Sequence, residues 1–187
     1  QETSFGNAGL IQQEAVEPYA FPREPGFLLN VAVGRGAEVN WHARGLWQMA
    51  GSLLRYLHHS HPKRHAQATQ AYSRLIAHAT DEHDLLMAAA GAQDLVAREG
   101  FRFVFRTAEA YDEAAQRAAV LHDRFGVRYQ AENTTQLAQA EPALQRAMAG
   151  AVHWLDPWAV NNPGALVQRY ADLLVARGGR VLTGDAA

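Results

Sequence analysis

The sequence predicts an α+β protein in which long helices cover a mainly antiparallel or mixed sheet. Residues 101–106 alternate phenylalanine with arginine, Val104 excepted, and such alternation is typical of a strand with one buried face. Short strand-like segments are separated by helical ones, and none of these strands is apolar throughout, as a parallel sheet buried on both faces requires. The combination favours an α+β arrangement over a doubly wound one.

The composition is that of a globular protein. The 187 residues are 48% hydrophobic and 19% charged, with a formal net charge of -2, and the length allows one fair-sized domain or parts of two. No basic stripe interleaved with aromatic residues occurs, so nucleic acid is not an expected partner. The lack of cysteine excludes a disulfide scaffold, thiol catalysis and zinc–thiolate sites. No apolar run approaches the roughly 20 residues of a membrane-spanning helix.

The first half of the chain is predicted to be extended and then helical. Residues 12–36 carry three prolines and indicate a loop with a short strand at 27–33. In residues 46–58, apolar side chains recur at intervals of three and four, which predicts a helix. We expect this stripe to pack in the core, although it is also compatible with a membrane-facing role. After Pro62 one long helix is expected over residues 63–90, and its inner face would comprise Thr69, Tyr72, Ile76, Ala79, His83 and Leu86.

The second half is predicted to alternate strands with helices. We expect residues 101–106 to form a central strand in which Phe101, Phe103 and Phe105 are buried. Thr107 is a typical N-cap residue, and the helix after it should end at Gly126. Asn162 followed by proline predicts the start of another helix, over residues 163–177. The remaining predictions are strands at 127–130, 150–154 and 180–183 and a short helix at 134–138.

The first ten residues form the most distinctive candidate binding segment. Thr3, Ser4 and Asn7 supply hydroxyl and amide groups, and the small residues Gly6, Ala8 and Gly9 between and after them leave room for a ligand to approach the backbone. The same composition is typical of an ordinary turn leading into a strand, and the residues alone leave both interpretations open.

Three further side chains are candidates for contact with a substrate. Arg102 and Arg106 lie on the strand face opposite the phenylalanines, where an arginine can bind a carboxylate through two hydrogen bonds or simply face solvent. His153 is either a core or surface histidine or a residue near a ligand. The histidines at 58, 59, 61 and 65 are interrupted by Pro62 and have no acidic neighbour in sequence, so we predict no metal site there.

Several short motifs carry a resemblance to a known family. Glu2-Thr3-Ser4-Phe5-x-Asn7-Ala8-Gly9 resembles the segment after the second strand of bacterial D-amino-acid dehydrogenases, flavoproteins of the superfamily that includes D-amino-acid oxidase and glycine oxidase. Five further motifs resemble the middle region of that family and occur in the same order. They are Leu46-Trp47-Gln48-Met49, Ala71-Tyr72-Ser73-Arg74, Phe105-Arg106-Thr107, Ala119-Val120-Leu121 and Glu141-Pro142-Ala143-Leu144. The resemblance therefore covers nearly the whole chain.

The resemblance implies a cofactor, FAD, and places residues around it. Residues 1–20 and 162–187 would belong to the FAD-binding domain, and residues 21–161 would form the substrate-binding domain. Glu2, Thr3 and Ser4 would lie along the pyrophosphate and ribityl chain, and Asn7, Ala8, Gly9 and Leu10 along the isoalloxazine edge. Ala187 would meet the adenine through its backbone, and the strand that carries His153 would lie near the substrate cavity.

The implied activity is oxidative deamination of D-amino acids to 2-oxo acids and ammonia, with a hydride passing to FAD. Electrons would then go to a quinone or another acceptor, in the cytoplasm or at the cytoplasmic face of the inner membrane, with peripheral membrane association. The alternatives are an amine-oxidising flavoprotein for glycine, sarcosine or proline-like substrates, and an α+β binding module without a cofactor.

One expected element of a flavin enzyme is absent from the sequence. A dinucleotide fold places the pyrophosphate on a G-x-G-x-x-G turn, and no such motif occurs here. In the resembling family it lies upstream of the Thr3-Ser4 segment, and the arginine that clamps the substrate carboxylate lies in the C-terminal part. We therefore expect the chain to be a middle piece of a larger enzyme that does not hold FAD by itself.

Overall fold

The computed structural model describes residues 5–33, 42–182 and 184. Its helices are α1 (Pro25–Ala32), α2 (Ala43–His59), α3 (Pro62–Ile76), α4 (Ala79–Ala89), α5 (Ala108–Phe125), α6 (Thr134–Ala140) and α7 (Pro163–Ala176). Its strands are β1 (Leu10–Ile11), β2 (Val96–Ala97), β3 (Phe101–Phe105), β4 (Tyr129–Asn133), β5 (Gly150–Trp154) and β6 (Trp158–Val160). The predicted α+β class is confirmed.

The chain divides into two compact units. One unit combines Gln1–Val16 with Arg74–Ala187, and the other is Glu17–Ser73. The boundary near residue 73 falls within α3, whereas the sequence analysis placed domain boundaries near residues 20 and 161. Those boundaries concern the FAD and substrate domains of a family and stay a prediction.

Two three-stranded antiparallel sheets lie in the first unit. One has the strand order β1-β6-β2 and the other β3-β5-β4. The predicted strand at 101–106 is present as β3, but the prediction that it is central is wrong, because β5 lies between β3 and β4. Alternation of side chains shows which face of a strand is buried, and the strand order is fixed by pairing partners far away in sequence.

Helix α5 packs on one face of the β3-β5-β4 sheet and forms the main core with it. Its cluster consists of Val16, Ala118, Leu121, Val127, Val152 and Trp154, with Phe101 and Phe105 packed against it. Phe103 is 51% exposed, so the expectation that all three phenylalanines are buried is wrong. Phe103 lies on the edge strand β3 and pairs with Val152 on the central strand β5, and its ring meets that of Phe101 edge-on with ring centroids 5.0 Å apart.

Helix boundaries in the second half follow the local signals. The Thr107 side chain accepts a hydrogen bond from the Ala110 N–H, and Gly126 ends α5 with φ of 72°. Asn162 caps α7 in the same way. At α6 the cap is Asn133, which forms a capping box with Gln136. Strand β4 begins two residues later than predicted, and residues 180–182 form no strand, contrary to the prediction for 180–183; Thr183 lies outside the described residues.

Two predictions in the first half are wrong. Residues 27–33 were expected to form a strand, but most of them lie in α1, which begins at Pro25, where the fixed φ of proline suits a first helical turn. The long helix expected over 63–90 is divided into α3 and α4. The amide of Gln13 donates to the carbonyl of Ala77 at 3.0 Å, which satisfies a backbone group at the break.

Candidate functional site

The N-terminal segment, defined here as residues 5–11, is held against β6 and the start of α7. Strand β1 pairs antiparallel with β6, so that Leu10 faces Ala159 and Ile11 faces Trp158. The Ile11 side chain is buried in a second apolar cluster with Met87, Val160 and Leu166. The segment is therefore fixed at its C-terminal end by sheet pairing and by burial.

Gly9 sits at the tightest point of this segment. Its φ is +66°, its N–H donates to Asn7 Oδ1 at 2.8 Å, and its carbonyl accepts from the Val160 N–H at 2.5 Å. A Cβ at this position would lie 2.2 Å from the Val160 carbonyl oxygen and 3.1 Å from Pro163 Cγ. Glycine is required here by the packing of the segment itself, whatever ligand the segment meets.

A network of charged side chains occupies the other face of the β3-β5-β4 sheet. Arg102 on β3 is the register partner of His153 on β5, and Glu132 on β4 is the register partner of Ala151, two residues before His153 on the same strand. Arg102 donates to the two carboxylate oxygens of Glu132, from Nε at 2.8 Å and from Nη2 at 3.0 Å. Its Nη1 donates to Glu141 at 3.2 Å. The arginine thus holds β4 and the end of α6 to the edge strand.

Burial decides which of these contacts matters most. The Glu132 residue is 3% exposed, whereas the Glu141 side chain is 45% exposed. Hydrogen bonding to Glu132 raises the pKa of Arg102, an effect that burial opposes. His153 donates from Nε2 to the carbonyl of Glu99 at 2.7 Å, which leaves its Nδ1 facing Glu132 Oε1 at 3.6 Å. Arg102 and His153 therefore lie beside the same buried carboxylate, which accepts hydrogen bonds from Arg102.

The other polar residues singled out in the sequence have surroundings of their own. Arg106 is exposed in the bend that follows β3. In the Glu17–Ser73 unit, His58 Nδ1 lies 3.0 Å from Arg64 Nη1, and His65 Nε2 lies 2.7 Å from the carbonyl of Pro18. Across residues 5–33 and 42–182, no group of three histidine, aspartate or glutamate side chains is placed to hold a metal ion.

Sequence reasoning missed Glu132 as the residue that links the two predicted ones. It stands in the strand Tyr129–Asn133 with no motif around it. Alternation in that strand places Glu132 on the polar face, opposite Tyr129 and Ala131, so its burial is not evident from the sequence. Its partner Arg102 becomes evident only from the sheet register.

The match of a family model to the whole chain decides the family. The model described as FAD dependent oxidoreductase (DAO) matches residues 1–187. The chain belongs to the FAD dependent oxidoreductase family. Among solved structures it is similar to glycine oxidase from Geobacillus kaustophilus, with a TM-score of 0.48 and 20% sequence identity. That match covers 58% of this chain and 30% of the glycine oxidase chain.

Membership of this family raises the question of which described residues fit FAD. Asn7, Ala8 and Leu10, on either side of Gly9, are exposed, and we refer to them as the exposed edge of the N-terminal segment. Gly9 is buried, and both of its backbone polar groups already have partners within the protein. Glu2, Thr3, Ser4 and Ala187 lie outside the described residues. Of the predicted FAD-binding residues that the structure describes, Asn7, Ala8 and Leu10 are exposed and Gly9 is not.

Proposed function

We propose that this chain is part of an enzyme that oxidatively deaminates D-amino acids to 2-oxo acids and ammonia. The observation that carries the proposal is the match of the FAD dependent oxidoreductase family model to residues 1–187. The choice of D-amino acids as substrates is supported by the motifs in Glu2–Gly9 and in the middle of the chain, which resemble segments of D-amino-acid dehydrogenases. Family membership favours a flavoprotein over a cofactor-free binding module.

In this proposal FAD, when bound, takes up the hydride that leaves the substrate α-carbon, and water hydrolyses the resulting imine. The chain's own contribution begins with the N-terminal segment, which β1–β6 pairing and Gly9 hold in a fixed position. A fixed edge of this kind keeps the ring and the substrate in one relative orientation without further ordering at each turnover. Asn7, Ala8 and Leu10 are the described residues proposed to lie along that edge.

The charged network has a different proposed role. The Nε and Nη2 edge of Arg102 is occupied by Glu132 and its Nη1 by Glu141, so a substrate carboxylate could bind only by displacing the exposed Glu141. This arrangement favours Arg102 and His153 as residues that shape the sheet face. Of the two arginines, Arg106 is the more accessible to a ligand.

The test is a substrate screen of the native protein that contains this chain, purified with its flavin. D-amino acids, L-amino acids, glycine, sarcosine and proline would be supplied with an artificial dye acceptor, and 2-oxo acid and ammonia would be measured. We expect turnover of several D-amino acids and none of their L-enantiomers. Turnover confined to glycine, sarcosine or proline would overturn the D-amino-acid assignment and leave amine oxidation standing.

The electron acceptor and the location are proposed on the resemblance alone. We propose transfer to a quinone rather than to oxygen, in the cytoplasm or at the cytoplasmic face of the inner membrane. Comparison of quinone reduction with hydrogen peroxide formation during turnover distinguishes the two acceptors. Peroxide formed in proportion to substrate consumed, with no quinone reduced, would contradict the proposal.

A further inference from the structure

The apolar face of α2 is exposed, contrary to the expectation that it packs in the core. At about 100° per residue, its large apolar side chains fall on roughly one half of the helix circumference. Trp47 is 84% exposed, Leu54 65% and Met49 57%. Exposed apolar area concentrated on one helix face marks an interaction surface rather than ordinary surface variation.

The opposite half of α2 is polar and basic. It carries Arg44, Gln48, Ser52, Arg55 and His59. A helix with a broad apolar face that includes tryptophan, and with arginine on its polar face, is typical of helices that lie in the interface of a lipid bilayer. Tryptophan in particular is enriched at the level of the lipid headgroups.

The stretch of chain that contains α2 and α3 up to residue 80 carries formal charge of one sign only. Residues 39–80 contain no aspartate or glutamate, and α3 begins with Lys63 and Arg64 directly after Pro62. Arg64 Nη1 lies 3.0 Å from His58 Nδ1, and the nearby Arg64 charge lowers the pKa of His58. Positive charge is therefore concentrated where α2 meets α3, with no acidic side chain from this stretch to offset it.

We propose that α2 and the start of α3 form a docking surface for an anionic lipid bilayer. The apolar face of α2 would enter the headgroup region, and Arg55, Lys63 and Arg64 would meet lipid phosphates. A second copy of the same surface fits less well, because its cations would face one another. In the described part of the chain no helix has the length and apolarity to span a bilayer, so the proposed contact lies on the membrane surface.

This inference rests on the proposed function only for the location at a membrane, and its test measures vesicle binding without substrate or turnover. The native protein that contains this chain would be sedimented with vesicles of phosphatidylcholine alone and with vesicles containing one third phosphatidylglycerol. We expect binding to the anionic vesicles, weakened by high salt because the surface charges are screened.

Matched variants distinguish binding through this surface from non-specific binding to vesicles. Trp47→Ser with Leu54→Ser should weaken vesicle binding at least ten-fold, whereas Leu85→Ser with Leu182→Ser, which also removes two exposed apolar side chains, should leave it unchanged. Arg55→Gln with Lys63→Gln should weaken binding about five-fold for each cation, and Arg106→Gln with Arg146→Gln serves as the charge control. Circular dichroism establishes that each variant is folded.

Three outcomes would overturn the proposal. One is the absence of binding to anionic vesicles, and another is equal binding to neutral and anionic vesicles. The third is self-association of the chain that Trp47→Ser with Leu54→Ser abolishes, because it would assign the face to a second copy. None of these outcomes bears on amino-acid deamination, so the proposed function would stand or fall separately.

Discussion

At the scale of single residues, Gly9 and Gly6 form a matched pair. Gly9 has a positive φ and no room for a Cβ beside the Val160 carbonyl, whereas no atom within 4 Å would meet a Cβ at Gly6. We expect Gly9→Ala to lower the free energy of unfolding by at least about 1–2 kcal/mol, the cost of the left-handed conformation alone. Gly6→Ala should change it by less than about 0.5 kcal/mol.

Thermal unfolding without added FAD is the measurement for this pair. A loss of stability in Gly9→Ala under those conditions would show that the glycine serves the fold, and that reduced flavin content in such a variant is a secondary effect. Equal stability of the two variants would contradict the close packing of Gly9 on β6.

Glu14 gives a prediction about pH. The residue is 6% exposed, its Oε1 accepts from Gln12 Nε2 at 2.7 Å, and its Oε2 has no hydrogen-bond partner among the described residues. Burial, with a smaller effect from the charge of Asp156, raises the pKa of Glu14 from its ordinary value of 4.5. Because the folded protein favours the protonated carboxyl, this contribution to stability is complete below about pH 4.5 and is lost as pH rises through the raised pKa.

The check is the free energy of unfolding of the chain and of Glu14→Gln between pH 4 and 8. The difference between the two should change with pH by at most about 1.4 kcal/mol per pH unit, in favour of the glutamine variant as pH rises. Asp156 is paired with Arg128 in the folded protein, and the substitution leaves both partners of that pair in place. A difference that stays constant over the range would show that Glu14 is not buried.

Contacts between residues close together in sequence were predictable at this scale, and contacts between distant residues were not. Thr107 and Asn162 were identified as caps because their hydrogen bonds run to residues three positions away. Glu132 was missed because its partner Arg102 lies 30 residues away and meets it only through the order β3-β5-β4. The segment around Gly9 was recognised as unusual, but its contact with Val160 depends on β1–β6 pairing.

At the scale of elements, the Arg102 network predicts unequal effects from its two carboxylates. Arg102→Ala would leave the buried Glu132 without a counter-charge and should destabilise the protein by about 3–5 kcal/mol. Glu141→Gln removes only the exposed partner and should change stability by about 1 kcal/mol or less. Chemical denaturation of both variants measures the difference, and similar losses in the two would show that Glu132 is solvated.

The element predictions failed where a local pattern was compatible with two structures. The apolar run after Pro25 has no clear period, and a short apolar run does not distinguish a strand from a helix. The apolar residues of α2 were correctly assigned to a helix. Their spacing does not determine whether that apolar face packs in the core or is exposed. At the division between α3 and α4, the Ala77 carbonyl accepts a hydrogen bond from Gln13, 64 residues away, and no local pattern predicts that contact.

At the scale of the whole molecule, the family was recognisable because many weak motifs occur in one order along the chain. Each motif is short, and together they extend over nearly all 187 residues, as does the family model match. The cofactor site is less predictable, because a dinucleotide site is assembled from segments far apart in sequence.

The final prediction is that the chain of 187 residues alone does not hold FAD tightly. The pyrophosphate group of FAD requires a glycine-rich turn at a helix N-terminus, and the sequence contains no G-x-G-x-x-G. At α7 the Ala165 N–H is already bound by Asn162, and at Gly9 both backbone polar groups are used within the protein. The exposed edge formed by Asn7, Ala8 and Leu10 would offer a few hydrogen bonds worth about 1 kcal/mol each.

Isothermal titration of the purified chain with FAD tests this directly. We expect no saturable heat at micromolar protein concentrations, since a few such bonds do not offset the loss of translational and rotational freedom on binding. A dissociation constant in the low micromolar range would place a complete site within these 187 residues. In that event Gly9→Ala and Gly6→Ala would locate it, because a ring seated on the N-terminal segment would be lost with the first substitution and retained with the second.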